Sequence, residues 1–250
     1  MKIMAIPDRL TLEELDDGDP LIRWVTQGFG AGVRAWCAEG AVAVASPSLS
    51  GRDRLAVTGP EHAAAGLVAA VLREIGPSFR PIGDQHLIGS LARRVAGLEL
   101  VAPFLWMQST MSPAHPGIEG LCDAAWLSAG DEDEIEQLLL EGFPTSYARP
   151  GVSGVRRWCG ARDESGALAA VTAEAWSVPT VGFLAGVSAM PVGRGKGYAR
   201  AAFTFALHEL IREHGQAALI VDADNVPAIR LYERCGMQPR SLAAAAVCRP

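Results

Sequence analysis

The chain has 250 residues, 49% hydrophobic and 20% charged, which excludes wholesale disorder and supplies material for a sizeable core. A formal net charge of −6 excludes nucleic acid as the principal partner, because phosphate binding needs a concentrated basic surface. Length alone leaves one large domain or two small ones open.

Five scattered cysteines (Cys37, Cys122, Cys159, Cys235, Cys248) form no C-x-x-C pair, so neither a disulfide framework nor a metal site is expected. A reducing, cytoplasmic setting follows as the expectation. The start, residues 1–8, carries no long apolar region, so no secretory signal is expected. The apolar stretch from Val95 to Met107 is broken by Glu99 and is too short to span a bilayer. The pairs Arg93-Arg94 and Arg156-Arg157 read as solvated charges.

In chain order, the first half shows a strand at Arg34-Ala35-Trp36-Cys37, an alanine/valine strand after it, a strand at 55–60 and a helix ending at Gly76. The polar segment from Ser109 to Gly117, broken by Pro113 and Pro116, divides the chain nearly in half. The expected domains are residues 1–112 and 121–250, joined by a linker at 113–120. The second half opens with a strand from Cys122 to Leu127. Ser128 and the run Asp131-Glu132-Asp133-Glu134 then start a helix ending near Gly142, since acidic residues suit a helix's first turn. Strands at 155–161 and 167–176 flank the turn Asp163-Glu164-Ser165-Gly166 as a hairpin. A strand from Val181 to Ala189, a helix from Tyr198 to His214, a strand from Ala218 to Asp222, a helix from Pro227 to Cys235 and a strand from Leu242 to Cys248 complete the order. His208 and His214 read as surface residues of the long helix. Several landmarks recur between the halves: Gly28-Phe29 with Gly142-Phe143, and Trp36-Cys37 with Trp158-Cys159. A duplicated α/β (α+β) unit accounts for them; two unrelated α/β halves remain the alternative.

The segment Pro191-Val192-Gly193-Arg194-Gly195-Lys196-Gly197-Tyr198-Ala199-Arg200 lies between a strand and an amphipathic helix. Its glycines allow a tight turn, and the helix start offers N–H donors and a favourable dipole to phosphate oxygens. A P-loop is excluded because Gly197, not Ser or Thr, follows Lys196, and G-x-G-x-x-G fails at Arg200. What remains is R-x-x-G-x-A, followed by Asn225-Val226-Pro227-Ala228-Ile229-Arg230-Leu231-Tyr232-Glu233-Arg234-Cys235-Gly236-Met237.

With these two linked motifs the last 130 or so residues resemble the GNAT superfamily of acyl-CoA-dependent N-acetyltransferases. The tandem arrangement is similar to two-domain members such as mycothiol synthase-like or glycine N-acyltransferase-like proteins. The resemblance implies a mixed central sheet of GNAT type in the second half and a related, degenerate copy in the first. It further implies that Arg194, Gly195, Lys196, Gly197, Tyr198, Ala199 and Arg200 hold the pyrophosphate of acetyl-CoA. The backbone of Val187-Ser188-Ala189 would pair with the pantetheine arm, with one N–H facing the thioester oxygen. Asn225 would contact the pantetheine, Ala228 would allow close approach, and Tyr232 would protonate the leaving thiolate. Lysine-acetylating relatives carry a glutamate base where Phe183 stands here, so the base lies elsewhere or a water carries the proton. Glu174, Asp222 and Asp224 are candidates. Glu174 leads because, among apolar neighbours, an inward carboxylate has its pKa raised. The first half lacks the glycine loop, reading Glu61-His62-Ala63-Ala64-Ala65, and has Ser90-Leu91-Ala92 around the place of Tyr232. The expected activity is acetyl transfer to a primary amine on a small molecule, without metal, nucleic acid or membrane, with a homodimer as an allowed assembly. A longer acyl donor, a protein N-terminus or lysine acceptor, and an acyl-CoA sensor without turnover stay open.

Overall fold

The computed structural model describes residues 2–15, 17–111 and 123–248. Two units emerge that do not follow a single cut in the sequence: unit 1 is Met1–Trp106 with Val221–Asp224 and Arg240–Pro250, and unit 2 is Met107–Ile220 with Asn225–Pro239. The expected linker, 113–120, and Cys122 lie outside the described residues.

The elements in chain order begin with β1 (Met4–Ile6), α1 (Arg9–Glu13), α2 (Pro20–Thr26), β2 (Arg34–Ala38), β3 (Ala41–Leu49) and β4 (Arg52–Thr58). Next come α3 (Glu61–Ile75), β5 (Arg80–Asp84), α4 (Gln85–Arg94) and β6 (Leu98–Ser109). The second half supplies β7 (Ala124–Trp126), α5 (Glu132–Gly142), β8 (Val155–Arg162), β9 (Leu168–Ala175) and β10 (Gly182–Ala189). It ends with α6 (Tyr198–His214), β11 (Ala217–Asp222), α7 (Val226–Arg234) and β12 (Gln238–Val247). Among the described residues, no helix is long and apolar enough to cross a membrane.

In unit 1 the strands lie in the order β1-β2-β3-β4-β5-β12-β6. All but one of the β1–β5 pairings are antiparallel; β4 and β5 run parallel, joined by α3. The helix buries Ala63, Ala64, Leu67, Val68, Val71 and Leu72, a stripe at helical spacing, and Gly76 ends it at φ +97°. The chain's last strand pairs antiparallel with β5, Leu242 opposite Asp84 and Ala244 opposite Ile82. Ala243 and Ala245 join Trp36, Leu55, Leu67, Ile88 and Leu91 in one core.

In unit 2 the strands lie in the order β11-β10-β9-β8-β7, antiparallel except for the parallel β10–β11 pair. The acidic helix start forms as expected, and it works through a reciprocal cap. Ser128 Oγ and N–H both donate to Asp131, each at 2.8 Å, ahead of α5. The hairpin turn also forms, with Asp163 accepting from the N–H groups of Ser165 and Ala167. Helix α6 spans the residues expected of it and buries Ala202, Phe203, Ala206, Leu207 and Leu210. Strand alternation puts α5 and α6 on opposite faces. Cys159 Sγ reaches Ala202 O of α6, while its neighbour Trp158 turns away toward Ala148 and Gly186.

Candidate active site

Strands β10 and β11 are hydrogen-bonded only at Gly182–Ala217 and Phe183–Ala218. From Leu184 onward β10 keeps its antiparallel partner β9 and has no register with β11, so a gap opens between two parallel strands. The β9 register then slips: Ala185 faces Ala173 but Ser188 faces Val171, so β10 carries one extra residue. Gly186 sits in that bulge at φ +59°, and a Cβ there would lie 2.7 Å from the Trp158 ring. The bulge inverts the alternation of the strand end. Gly186 and Ser188 are buried toward α5, whereas Val187 and Ala189 are half-buried. Ser188 Oγ is enclosed without a hydrogen-bond partner among the described residues; Gly142 makes room for it, since a Cβ there would lie 2.4 Å from that oxygen.

Beyond Ala189 the chain turns tightly, with Met190 N–H bonded to Ala169 O and Gly193 N–H to Met190 O, both 2.9 Å. Gly195 (φ +79°) and Gly197 (φ +92°) both adopt left-handed backbone. Gly197 is the N-cap of α6 and brings no side-chain cap; the helix's own ladder begins at Ala201 N–H to Gly197 O. The N–H groups of Ala199 and Arg200 therefore lie ahead of that ladder at the positive end of the helix dipole, beside exposed Arg194 and Lys196. The helix start thus combines free backbone donors with two exposed cationic side chains.

Asn225 caps α7, its Oδ1 accepting Ala228 N–H at 3.3 Å; that bond leaves its amide N–H donors unused. Tyr232 is buried in α7 with its ring 4.7 Å from that of Phe203. Its hydroxyl makes no hydrogen bond among the described residues. Burial, with Cys235 beside it, raises the phenol's pKa, so the proton stays on. The Cys235 thiol lies 3.4 Å from Thr204 Oγ1. Phe183, at the mouth of the gap, is buried and its N–H donates to Ser177 Oγ. Asp222 and Asp224 are exposed.

Glu174 departs from the sequence expectation. It is fully buried, as expected of an inward carboxylate, yet its pKa is lowered rather than raised. Burial pushes the carboxyl up, but hydrogen bonds from His214, Arg156 and Arg157 outweigh it and hold the pKa at about 2. Arg157 Nε donates to Oε2 at 2.6 Å, Arg156 Nη1 to Oε1 at 3.0 Å, and His214 Nε2 lies 3.4 Å from Oε1. Both arginines also bind Glu213, and the Arg157 guanidinium lies 3.8 Å over the Trp126 ring. Arg156-Arg157 is thus an ion-pair hub rather than a solvated pair, and the His214 side chain is mostly buried rather than at the surface. Glu174 meets the last turn of α6, roughly 24 Å of helix from the loop at its first turn. Its strand position is opposite Leu184, where the gap opens, but a carboxylate so engaged and of such low pKa is a poor proton acceptor.

The network predicts a pH window of stability. Glu174 titrates below its usual 4.5, so its contribution is complete above that value and lost as pH falls toward about 2. His214, raised above 6.5 chiefly by its bond to Glu174, contributes below 6.5 and loses that contribution as pH rises through its shifted value. Glu174→Gln should cost about 3 kcal/mol. In urea melts across pH 3–9 its deficit against the parent protein should be largest between 4.5 and 6.5. A deficit independent of pH would refute the ion-pair account.

The first half follows an element order like that of the second but with one α-helix more, α1 and α2 standing where the second half has α5, and its parallel strands do not part in the same way. Its parallel pair β4–β5 is in register from Arg54–Arg80 to Ala56–Ile82, and a Cβ on Gly83 would lie 2.5 Å from Val57 O. At the start of α3, Glu61 accepts from the buried Ser90 hydroxyl at 2.5 Å, and Arg94 Nε donates to Ser90 Oγ at 3.1 Å. The Glu61 carboxylate is thus turned to α4, and α3 begins after Pro60 without a side-chain cap or a glycine loop.

Residues 124–237 match the acetyltransferase (GNAT) family. That segment is a GNAT acetyltransferase domain, and it contains the loop, the gap and Tyr232. Over most of the chain the fold is similar to a GCN5-related N-acetyltransferase from Kribbella flavida (TM-score 0.63, 16% identity, covering 92% of this chain and 95% of that one). It is also similar to a GCN5-related N-acetyltransferase from Sphaerobacter thermophilus (TM-score 0.60, 19% identity, 94% and 84%). A tandem GNAT protein from the clavulanic acid biosynthesis pathway is a further neighbour (TM-score 0.53, 12% identity, 100% and 99%). No curated protein matches the sequence.

Proposed function

We propose that unit 2 transfers an acetyl group from acetyl-CoA to the primary amine of a small molecule by direct attack. The observation that carries this reading is the strand gap from Leu184 onward, bordered by the glycine loop of α6. The loop N–H groups, with Arg194 and Lys196, suit a pyrophosphate, and the bulged end of β10 offers backbone N–H groups to an extended arm and its carbonyl oxygen. The amine nitrogen attacks the thioester carbon, the carbon–sulfur bond breaks, and the departing thiolate takes the Tyr232 proton. The amine's surplus proton leaves to water, since Phe183 stands where relatives carry a glutamate and Glu174 is committed to its ion pairs, and water returns one proton to the Tyr232 phenolate, so that amine and thioester give amide and thiol. Unit 1, with β4 and β5 in contact as far as Val57 and Gly83 and no glycine loop before α3, serves as a scaffold and binds no coenzyme.

The test is release of free thiol from acetyl-CoA in the presence of an amine panel, alongside calorimetric coenzyme binding. Gly197→Glu places a carboxylate at a left-handed position inside the loop. It should weaken coenzyme affinity at least about 100-fold through strain and charge repulsion. Unchanged affinity would refute the loop assignment. An acyl-CoA sensor is the second reading, favoured by the apolar Phe183; tight coenzyme binding with no thiol release across the panel would select it.

A further inference from the structure

Residues 142–154, which begin at the last residue of α5, include a single charged side chain, Arg149. That charge is neutralised within the unit by Glu136, and Arg149 also donates to Pro144 O at 2.6 Å. The segment is closed on itself further by Ser146 N–H to Phe143 O and Ser146 Oγ to Ala148 O. It nevertheless exposes Phe143 at 39%, Tyr147 at 47% and Val152 at 39%. Exposed large apolar groups this dense in one short segment call for an explanation.

Its anchorage supplies one. Gly142 packs on Ser188, and Ala148 Cβ would lie 3.3 Å from a Cβ on Gly186, so both contacts fall on the bulge of β10. The segment therefore borders the strand gap on the α5 face. The glycine loop leads into α6, and Tyr232 packs on Phe203 of α6, so both belong to the opposite face. An amine attacking a carbonyl held in the gap must come along the perpendicular to its plane, from the side the donor machinery leaves open. That side is the α5 face, where the approaching molecule meets a neutral, apolar border.

On the transfer reading above, we propose that Phe143, Tyr147 and Val152 wall the acceptor site, and that the acceptor is a primary amine with an aryl or alkyl body. A second cationic group on the acceptor finds no carboxylate in this segment. The closest acidic side chain in sequence, Glu141, precedes it, and Glu136 is committed to Arg149.

The test titrates the CoA-saturated protein with 2-phenylethylamine, hexylamine and 1,4-diaminobutane by calorimetry, then compares thiol release with the same amines. The aryl and alkyl amines should bind at least about tenfold more tightly than the diamine, with the same order in kcat/KM. Phe143→Ser combined with Tyr147→Ser should weaken phenylethylamine binding about tenfold and leave CoA affinity unaltered. Preference for the diamine, or phenylethylamine binding unaffected by the double substitution, would overturn the proposal. Selective phenylethylamine binding without thiol release would support the apolar site while overturning the transfer reading.

Discussion

Tyr232→Phe should lower kcat for acetyl transfer by about 10²–10⁴-fold, the usual worth of a positioned general acid, while coenzyme affinity stays within about twofold of the parent. The substitution removes one oxygen from a ring held against Phe203, so packing in unit 2 is preserved. The hydroxyl has no partner among the described residues, so no structural bond is lost with it. Burial beside Cys235 keeps the phenol protonated across the neutral range, the state an acid for a departing thiolate requires. Thiol-release kinetics and coenzyme calorimetry on the same preparation separate the two effects. Full activity in the variant would remove Tyr232 from the mechanism; lost coenzyme affinity would make it a binding residue instead.

Truncation after Pro239 should unfold unit 1. The deletion takes out the strand between β5 and β6, the buried Leu242, Ala243 and Ala245, and the paired Arg240–Asp19 contacts at 2.8 and 3.0 Å. It also removes the bond from Cys248 N–H to Gly97 O. Leu242 burial contributes about 2 kcal/mol and each ladder bond about 1 kcal/mol, while two strand edges lose their cover. Those losses rival the whole stability of a small domain, about 5–15 kcal/mol. Hydrogen exchange should show β4 and β5 amides unprotected in the truncated chain. Persisting protection of β5 would refute the assignment of β12 to this unit.

Local chemistry made much of unit 2 legible in advance. Ser128 with Asp131, the Asp163 turn, the stripe of α6 and its Gly215 end each depend on residues within a turn or two of one another. The loop from Pro191 to Gly197 was equally legible, because left-handed glycines and an uncapped helix start are local properties. Glu174 shows where such reading stops. Its apolar neighbours in sequence pointed to a raised pKa, but its partners stand 17, 18 and 40 residues away and reach it through strand register and the far end of α6. The bulge at Gly186 is similar: one extra residue against β9 turns Ser188 inward, and no pattern in Gly-Val-Ser-Ala announces it.

Length left one domain or two undecided, and the sequence by itself determined more than that count: the order of strands and helices in the second half, the glycine loop before α6, and a tyrosine on α7. Those follow from hydrophobic period, capping residues and backbone freedom, all short-range. Tertiary structure alone decided that β12 completes the sheet of unit 1, that β10 and β11 part at Leu184, and which charges surround Glu174. An alanine-rich strand such as Ser241-Leu242-Ala243-Ala244-Ala245-Ala246-Val247 can pair with any apolar neighbour. Its partner is set by which sheet lacks a strand, and that is a property of the assembled chain.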